Sequence, residues 1–136
     1  MACFAIALGH ARGVISDTKM AEDCQALAEV PAKITETLYH DGALRNLAQK
    51  VSPAQHMLYI GRGTSFAIAH EAALKMKEIS YIHAEAYAAG EMKHGPIALI
   101  DDAMPLIAIA PSDKLFDKTL SNIQEAAARG AQIIAL

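Results

Sequence analysis

Cysteine and long apolar runs are scarce in this sequence, and each scarcity excludes a class of protein. The 136 residues hold two cysteines, Cys3 and Cys24, which are too few for a disulfide framework and lack metal-binding spacing. Such usage is typical of a reducing cytosol, so we expect a cytoplasmic protein. The apolar run at residues 1–8 is too short to span a membrane, and no secretory signal is recognisable around it.

Positive charge is also scarce, which argues against a nucleic-acid partner. The chain has 12 Lys and Arg against 15 Asp and Glu, a formal net charge of −3. A helix-turn-helix reader could be sought only in residues 1–55, where acidic residues outnumber basic ones by six to five. Nothing there attracts phosphates. With 53% hydrophobic residues, the length instead suits one globular domain that can bury a core.

Residues 1–8 should be the tail of a buried helix, and three further helices are predicted before residue 53. Ser16 or Asp17 caps the first, which should run to about Glu29. Pro31 should then open a second helix from its first turn, where a missing N–H is harmless. Residues 43–51 should form a third, ended by Ser52-Pro53. We therefore predict a helical segment over residues 1–52 and a separate α/β unit over residues 53–136.

Buried strands and helices alternate in residues 53–136. Residues 57–60 and 104–110 are apolar runs typical of parallel strands buried on both faces, and residues 132–136 start another. Helices are predicted over residues 65–80 and 115–129 between them, the second ended by Gly130. This order predicts an α/β fold: a three-layer, doubly wound parallel sheet with helices on both faces.

A glycine turn, Gly61-Arg62-Gly63-Thr64-Ser65, connects the first strand to the first helix of this unit. Two glycines permit unusual backbone angles, and Thr64 or Ser65 could cap the helix. A strand, a glycine turn and a helix N-terminus can bind an anion, because free N–H groups point at the ligand. The motif matches neither a dinucleotide fingerprint nor a P-loop, so a simple tight turn is the alternative.

The helix over residues 65–80 carries charges at regular spacing. Glu71, Lys75 and Glu78 stand at i, i+4 and i+7 and should share one face. They could be a solvated ion-pair face. They could also be a catalytic set, in which the ammonium keeps a carboxylate ionised and handles a nearby oxygen while that carboxylate transfers protons.

The segment Lys93-His94-Gly95-Pro96 should be a loop or frayed turn, since Gly95-Pro96 stops a helix. An exposed His94 there would be suited to proton transfer near neutral pH. A surface histidine without a role is the alternative.

The residues from Glu71 to Pro96 resemble the isomerase domain of the glucosamine-6-phosphate synthase family, also called glutamine–fructose-6-phosphate aminotransferases. Both the segment Lys75-Met76-Lys77-Glu78-Ile79-Ser80-Tyr81 and the Lys-His-Gly-Pro loop match, and the likeness extends more loosely over the chain. The resemblance implies a sugar isomerase (SIS) fold. It also implies the second SIS lobe, incomplete at its C-terminus, preceded by the end of the first lobe and a connector.

The same resemblance implies a reaction and residue roles. Fructose 6-phosphate and ammonia from glutamine would become glucosamine 6-phosphate, with no metal and no organic cofactor. Glu78 would be the carboxylate that moves a proton, Lys75 would serve the neighbouring oxygen, and His94 would open the sugar ring from a partner subunit. Glu71 would lie near the site. The implied partners are the sugar phosphate, a glutaminase domain of the parent chain and a second copy in a homodimer.

Two alternatives share the fold, a non-catalytic sugar-phosphate-binding SIS module and a related phosphosugar isomerase or deglycase. We also expect the isolated chain itself to be inactive, because the family's first-lobe phosphate loop, its C-terminal imine lysine and its glutaminase domain are not in this sequence.

Overall fold

The computed structural model describes residues 1–136, and these fall into two compact units, Met1–Gln49 and Lys50–Leu136. The helices are α1 Ala2–Ala11, α2 Asp17–Leu38, α3 Asp41–Val51, α4 Thr64–Ser80 and α5 Phe116–Ala127. The strands are β1 His56–Gly61, β2 His83–Ala88, β3 Pro105–Ile109 and β4 Gln132–Ala135. Two short 3-10 helices, Ala89–His94 and Pro96–Leu99, follow β2.

Helices α1 and α2 pack together in the first unit without burying any of their residues, so the helix predicted at residues 1–8 forms but its predicted burial is wrong. The Nε2 atom of His10 lies 2.6 Å from Oδ1 of Asp17, where one helix ends and the next begins. Ser16 caps α2 as predicted, since its Oγ accepts a hydrogen bond from the backbone N–H of Lys19 at 3.2 Å.

The predicted break of α2 at Pro31 is wrong, because α2 continues through this residue to Leu38. Pro31 removes a single backbone donor, the one that would bond to the carbonyl of Leu27. Most of α2 is exposed, so water can solvate that carbonyl in place of the lost bond. Good helix-forming residues on both sides of Pro31 therefore outweigh the missing hydrogen bond.

The second unit contains one parallel sheet with the strand order β2-β1-β3-β4. Strand β2 was not predicted as a strand. It lies at the sheet edge, and polar His83 and Glu85 alternate there with small alanines, so it has no apolar run that would mark a buried strand. The other three strands lie where the apolar runs predicted them, but the predicted burial of the last is wrong, because β4 lies at the other sheet edge and is only partly buried.

Helices cover both faces of the sheet, as the doubly wound pattern predicts. Successive residues of β1 alternate between two cores: Met57 and Tyr59 face one, Leu58 and Ile60 the other. On the first face the alanines Ala69 and Ala73 of α4 are buried against β1, which lets that helix approach the sheet closely. The opposite core is closed by side chains from α5 and the 3-10 region: Met92, Ile100, Ile123 and Ala126.

Candidate functional site

The charged face of α4 has the geometry that its spacing predicts. Lys75 Nζ lies 2.8 Å from Glu78 Oε2 and 3.7 Å from Glu71 Oε1. All three side chains are half-exposed or more. Because Ala69 and Ala73 on the opposite side of α4 are buried, the sheet fixes the orientation of the helix and keeps this face open to a ligand.

Lys75 binds its two carboxylates unequally. The hydrogen bond that Lys75 donates to Glu78, then the charge of that carboxylate, raises the pKa of the Lys75 ammonium above 10.5, and the more distant Glu71 adds a smaller effect. Lys75 is therefore held in its charged form beside Glu78. An ammonium in this position can donate a proton or a hydrogen bond to a substrate oxygen while the neighbouring carboxylate acts as a base.

Helix α4 ends one turn beyond Lys77, and this ending fixes Glu78 in the last turn. Tyr81 adopts the left-handed conformation with φ of 61° and donates its backbone N–H to the carbonyl of Lys77. The Ser80 hydroxyl donates to the Met76 carbonyl at 2.6 Å and accepts from the Ile82 N–H at 3.2 Å. The chain then enters β2 without a further loop.

The glycine turn forms, but its predicted side-chain cap is wrong. Gly63 is the N-cap residue of α4, with φ of 58° and ψ of −128°, and no side chain caps the helix. Thr64 is already the first helical residue and Ser65 is buried within α4, so neither hydroxyl stands before the free N–H groups. The backbone angles of Gly63 are ones that favour glycine, and this requirement outweighs the capping preference.

Arg62, between the two glycines, folds back onto its own domain. Its Nη2 atom donates to Oδ1 of Asn122 at 3.3 Å and lies against Gly90, where a Cβ atom would be 2.8 Å away. Its Nε atom is buried without a hydrogen-bond partner. The guanidinium therefore packs between the glycine turn and the 3-10 helix Ala89–His94.

The loop that carries His94 is attached to α5 through polar side chains. Lys93 Nζ lies 2.8 Å from Glu125 Oε1, and Asn122 Nδ2 donates to Glu125 Oε2 at 3.4 Å. Since Arg62 contacts the same Asn122, a continuous network joins the glycine turn to the loop. Lys93, followed by Asn122, lowers the pKa of Glu125 below 4.5, while partial burial opposes this.

His94 ends its 3-10 helix and is exposed, and its side chain makes no hydrogen bond or ion pair within the chain. Gly95 follows with φ of 136°, a conformation reserved for glycine, and Pro96 starts the next 3-10 helix. The prediction of a loop or frayed turn is thus replaced by two short 3-10 helices. The structure brings Glu71, Lys75 and Glu78 together and does not bond His94 to any of them.

Sequence reasoning did not find the polar network of Arg62, Asn122 and Glu125. Asn122 and Glu125 stand three residues apart on α5, a spacing that puts them on one face, but their link to Arg62 spans 60 residues of sequence. Strand β2 holds a further unpredicted contact, in which the Tyr87 hydroxyl donates to Glu85 Oε2. That hydrogen bond is the main cause that raises the pKa of Tyr87.

Residues 1–136 contain no helix long and apolar enough to cross a membrane. They also contain no group of three or more His, Cys, Asp or Glu side chains placed to hold a metal ion.

A four-stranded parallel sheet with helices on both faces defines a doubly wound α/β domain. The helix α4, which covers one face, carries the lysine–carboxylate pair. The chain belongs to the SIS domain family, whose model matches residues 50–136.

Within this family, the chain is most usefully compared with proteins named as aminotransferases. Glutamine–fructose-6-phosphate aminotransferases (isomerizing) of Brucella abortus and Bradyrhizobium diazoefficiens are 55% and 53% identical to this chain over 134 residues. These residues are 98% of this chain and 22% of each relative, so the chain spans about a fifth of their length. The C-terminal domain of glucosamine-fructose-6-phosphate aminotransferase from Francisella tularensis superposes with a TM-score of 0.95 at 42% identity, over 97% of this chain and 37% of that one.

Proposed function

We propose that this chain supplies the proton-transfer part of a glutamine–fructose-6-phosphate aminotransferase, which forms glucosamine 6-phosphate from fructose 6-phosphate and glutamine-derived ammonia. The observation that carries the proposal is the Glu78–Lys75 pair on the open face of α4, at 2.8 Å, in a chain more than half identical to proteins of that name. The assignment of residues to lobes follows from the same kinship: residues 1–52 comprise the end of the first SIS lobe and the connector between lobes, and residues 53–136 belong to the second lobe.

The chemistry requires one base that serves two adjacent carbons. Once ammonia has converted the C2 carbonyl of the open-chain sugar to an imine, Glu78 takes a proton from C1. The C1–H electrons form a C1=C2 double bond while the imine nitrogen takes up a proton, which gives an enol-type intermediate, and the same carboxyl returns its proton to C2. The C1 hydroxyl gives up its proton as it becomes the aldehyde, and this replaces the proton taken by nitrogen, so C2 carries the amine and atoms and charge balance. Lys75, held charged beside Glu78, exchanges the proton of the C1 oxygen.

Glu71 takes a supporting role in this proposal. It lies 0.9 Å farther from Lys75 Nζ than Glu78 does, 3.7 Å against 2.8 Å, and is the more exposed of the two carboxylates. Its charge helps to hold Lys75 in place without contacting the reacting carbons. Replacement of Glu71 is therefore a matched control for replacement of Glu78, because the two carboxylates lie on the same face of α4 and differ mainly in their distance to Lys75.

The test transplants this chain in place of the homologous 134-residue segment of the Brucella abortus relative. We expect the chimera to form glucosamine 6-phosphate. Glu78→Gln in the chimera should lower the rate by roughly 10²–10⁴-fold, since the shape is kept and the basicity lost. Glu71→Gln should lower it far less. A folded chimera that binds fructose 6-phosphate and forms no product would instead favour a sugar-phosphate-binding module, and equal losses for both variants would remove the distinct role of Glu78.

We further infer that His94 acts in the site of a second copy, in a homodimer. It is exposed and unbonded within its own chain, and the network through Lys93 and Glu125 holds its loop against α5. A residue positioned in this way can complete a neighbouring site across a two-fold axis. Mixed chimeras carrying His94→Ala in one subunit and Glu78→Gln in the other should regain one intact site per dimer. Confirmed subunit exchange without any regain of activity would mean that His94 acts in its own subunit.

The cytoplasm is the compartment we infer for this reaction. Cys3 and Cys24 are both exposed and unpaired, as is usual where thiols are kept reduced. The sugar phosphate and the glutaminase domain are the partners that the proposal requires.

A further inference from the structure

A pair of histidines stands at the start of the two neighbouring strands β1 and β2. His56 and His83 are direct partners in the parallel register, so the backbone places their side chains side by side. Their Nδ1 atoms lie 3.2 Å apart, and the rings meet edge to face with centroids 5.4 Å apart. None of the residues assigned to the proposed reaction takes part in this pair.

Two arrangements place the Nδ1 atoms of two histidines this close together: a hydrogen bond between the rings, or a metal ion bound by both. In the first, one ring carries a proton on Nδ1 and donates it to the bare Nδ1 of the other, which requires opposite tautomers. In the second, both Nδ1 atoms are bare and bind a metal ion. Imidazole nitrogens bind Zn²⁺ at about 2.0–2.1 Å, so two tetrahedral ligands stand about 3.3–3.4 Å apart. The observed 3.2 Å is close to that span.

The surroundings favour the metal. Glu85 Oε1 lies 3.5 Å from the other ring nitrogen of His83, Nε2. This contact is electrostatic and longer than a normal hydrogen bond, but a carboxylate beside the second nitrogen favours the proton there, which leaves Nδ1 bare, as in many metal-binding histidines. Glu85 is itself held by the Tyr87 hydroxyl.

The pair also borders a mainly apolar cavity whose lining includes two carboxylates. His56 and His83 line a cavity of about 280 Å³ together with the carboxylates Glu85 and Asp101. His83 and Glu85 are exposed at 60% and 43%, so an ion can enter from solvent, and water can complete its coordination. Imidazole suits Zn²⁺, Ni²⁺ and Cu²⁺, whereas Mg²⁺ and Ca²⁺ prefer a shell of oxygen ligands.

We propose that His56 and His83 form a two-histidine binding site for a divalent transition-metal ion of the zinc type, with Glu85 as the positioning residue of His83. The site is separate from the proton transfer assigned to Glu78, which needs no metal. With two protein ligands it is an open and exchangeable site, in contrast to a closed structural one with four.

The direct test is calorimetric titration of the metal-free full chain with ZnCl₂, in a background of Cys3→Ser and Cys24→Ser so that thiolates do not compete. One Zn²⁺ should bind per chain. His56→Gln and His83→Gln should each weaken binding at least ten-fold, and Glu85→Gln should weaken it less. His40→Gln, at an exposed histidine of the first unit, is the matched control and should leave it unchanged.

Imidazole ¹⁵N spectra provide the second readout, and they do not depend on comparing variants. Zn²⁺ should shift the Nδ1 signals of both His56 and His83 and leave the Nε2 signal of His83 protonated. Three results would overturn the proposal: no saturable binding, an affinity within about two-fold of wild type after either His→Gln change, or Zn²⁺-induced shifts spread over all six histidines. The first of these would leave the tautomeric hydrogen bond as the explanation of the pair.

Discussion

Replacement of Gly61 by alanine tests the close packing of the glycine turn. Gly61 has an ordinary negative φ, so its role is to leave space. A Cβ atom there would lie 2.3 Å from the carbonyl oxygen of Ser65, 2.5 Å from the carbonyl carbon of the same residue and 2.8 Å from the backbone nitrogen of Phe66. Since carbon atoms pack best at about 3.5–4.0 Å, the first turn of α4 would have to move by roughly 1 Å.

The size of the effect follows from which atoms clash. Overpacking costs about 1–3 kcal/mol when side chains can rotate away, and occasionally more. Here all three atoms belong to the backbone of α4, which is held against β1 by buried Ala69 and Ala73, so we expect about 3 kcal/mol. For a unit of this size that loss lowers the melting temperature by more than about 10 °C.

The assay is urea unfolding followed by amide signals from β1 and β3, which report on the second unit alone. Gly42→Ala in α3 is the control for a glycine replacement outside this unit: a Cβ there meets nothing within 4 Å, and Gly42 belongs to the first unit, so the free energy of unfolding reported by β1 and β3 should not change. If Gly61→Ala stays within about 1 kcal/mol of the wild type, β1 and α4 do not approach as closely as described.

Three further predictions concern the charged side chains. The raised pKa of Lys75 should fall toward 10.5 in Glu78→Gln and should change less in Glu71→Gln, as measured by ¹⁵Nζ titration. Equal falls in the two variants would mean that the contacts of Lys75 with Glu78 at 2.8 Å and with Glu71 at 3.7 Å do not differ in strength. Because the pKa of Glu125 is lowered in the folded state, its ion pair with Lys93 stabilises the fold above pH 4.5, and this contribution is lost as the pH falls through the folded-state value. The stability difference between wild type and Glu125→Gln should therefore shrink on acidification, and a difference that grows would contradict the pair. Asn122→Ala should speed amide exchange in the Lys93-His94 segment, while Gln124→Ala on the same helix should not; equal exchange in both would show that the Arg62 network does not hold the loop.

Periodicity and residue type predicted the buried parts of this fold from sequence. Strands β1 and β3 are apolar because a sheet covered on both faces excludes water, and that composition is visible along the chain; β4 carries a similar apolar run although it lies at the sheet edge and is only partly buried. The face of Glu71, Lys75 and Glu78 was predictable for a similar reason, since helical offsets fix which residues are neighbours. In both cases local spacing alone determines the result.

Features that depend on tertiary contacts were not predictable. Strand β2 is an edge strand, so its sequence needs no apolar run, and pairing with β1 creates it. The turn before α4 required a glycine at its N-cap, which displaced the expected hydroxyl cap. The network from Arg62 to Lys93 joins three elements distant in sequence, and nothing in their local patterns marks it.

The role of Glu78 is tested most directly by following hydrogen exchange at the sugar carbons in D₂O. The chimera is supplied with fructose 6-phosphate under turnover conditions. If Glu78 removes the C1 proton and returns a proton to C2, the proton that it holds between these two steps exchanges in part with deuterium from the solvent. Deuterium should therefore appear at C2 of glucosamine 6-phosphate. Glu78→Gln should slow this incorporation by roughly 10²–10⁴-fold while fructose 6-phosphate still binds. Incorporation within about two-fold of the unsubstituted chimera would show that Glu78 belongs to a solvated ion-pair face and that another group moves the proton.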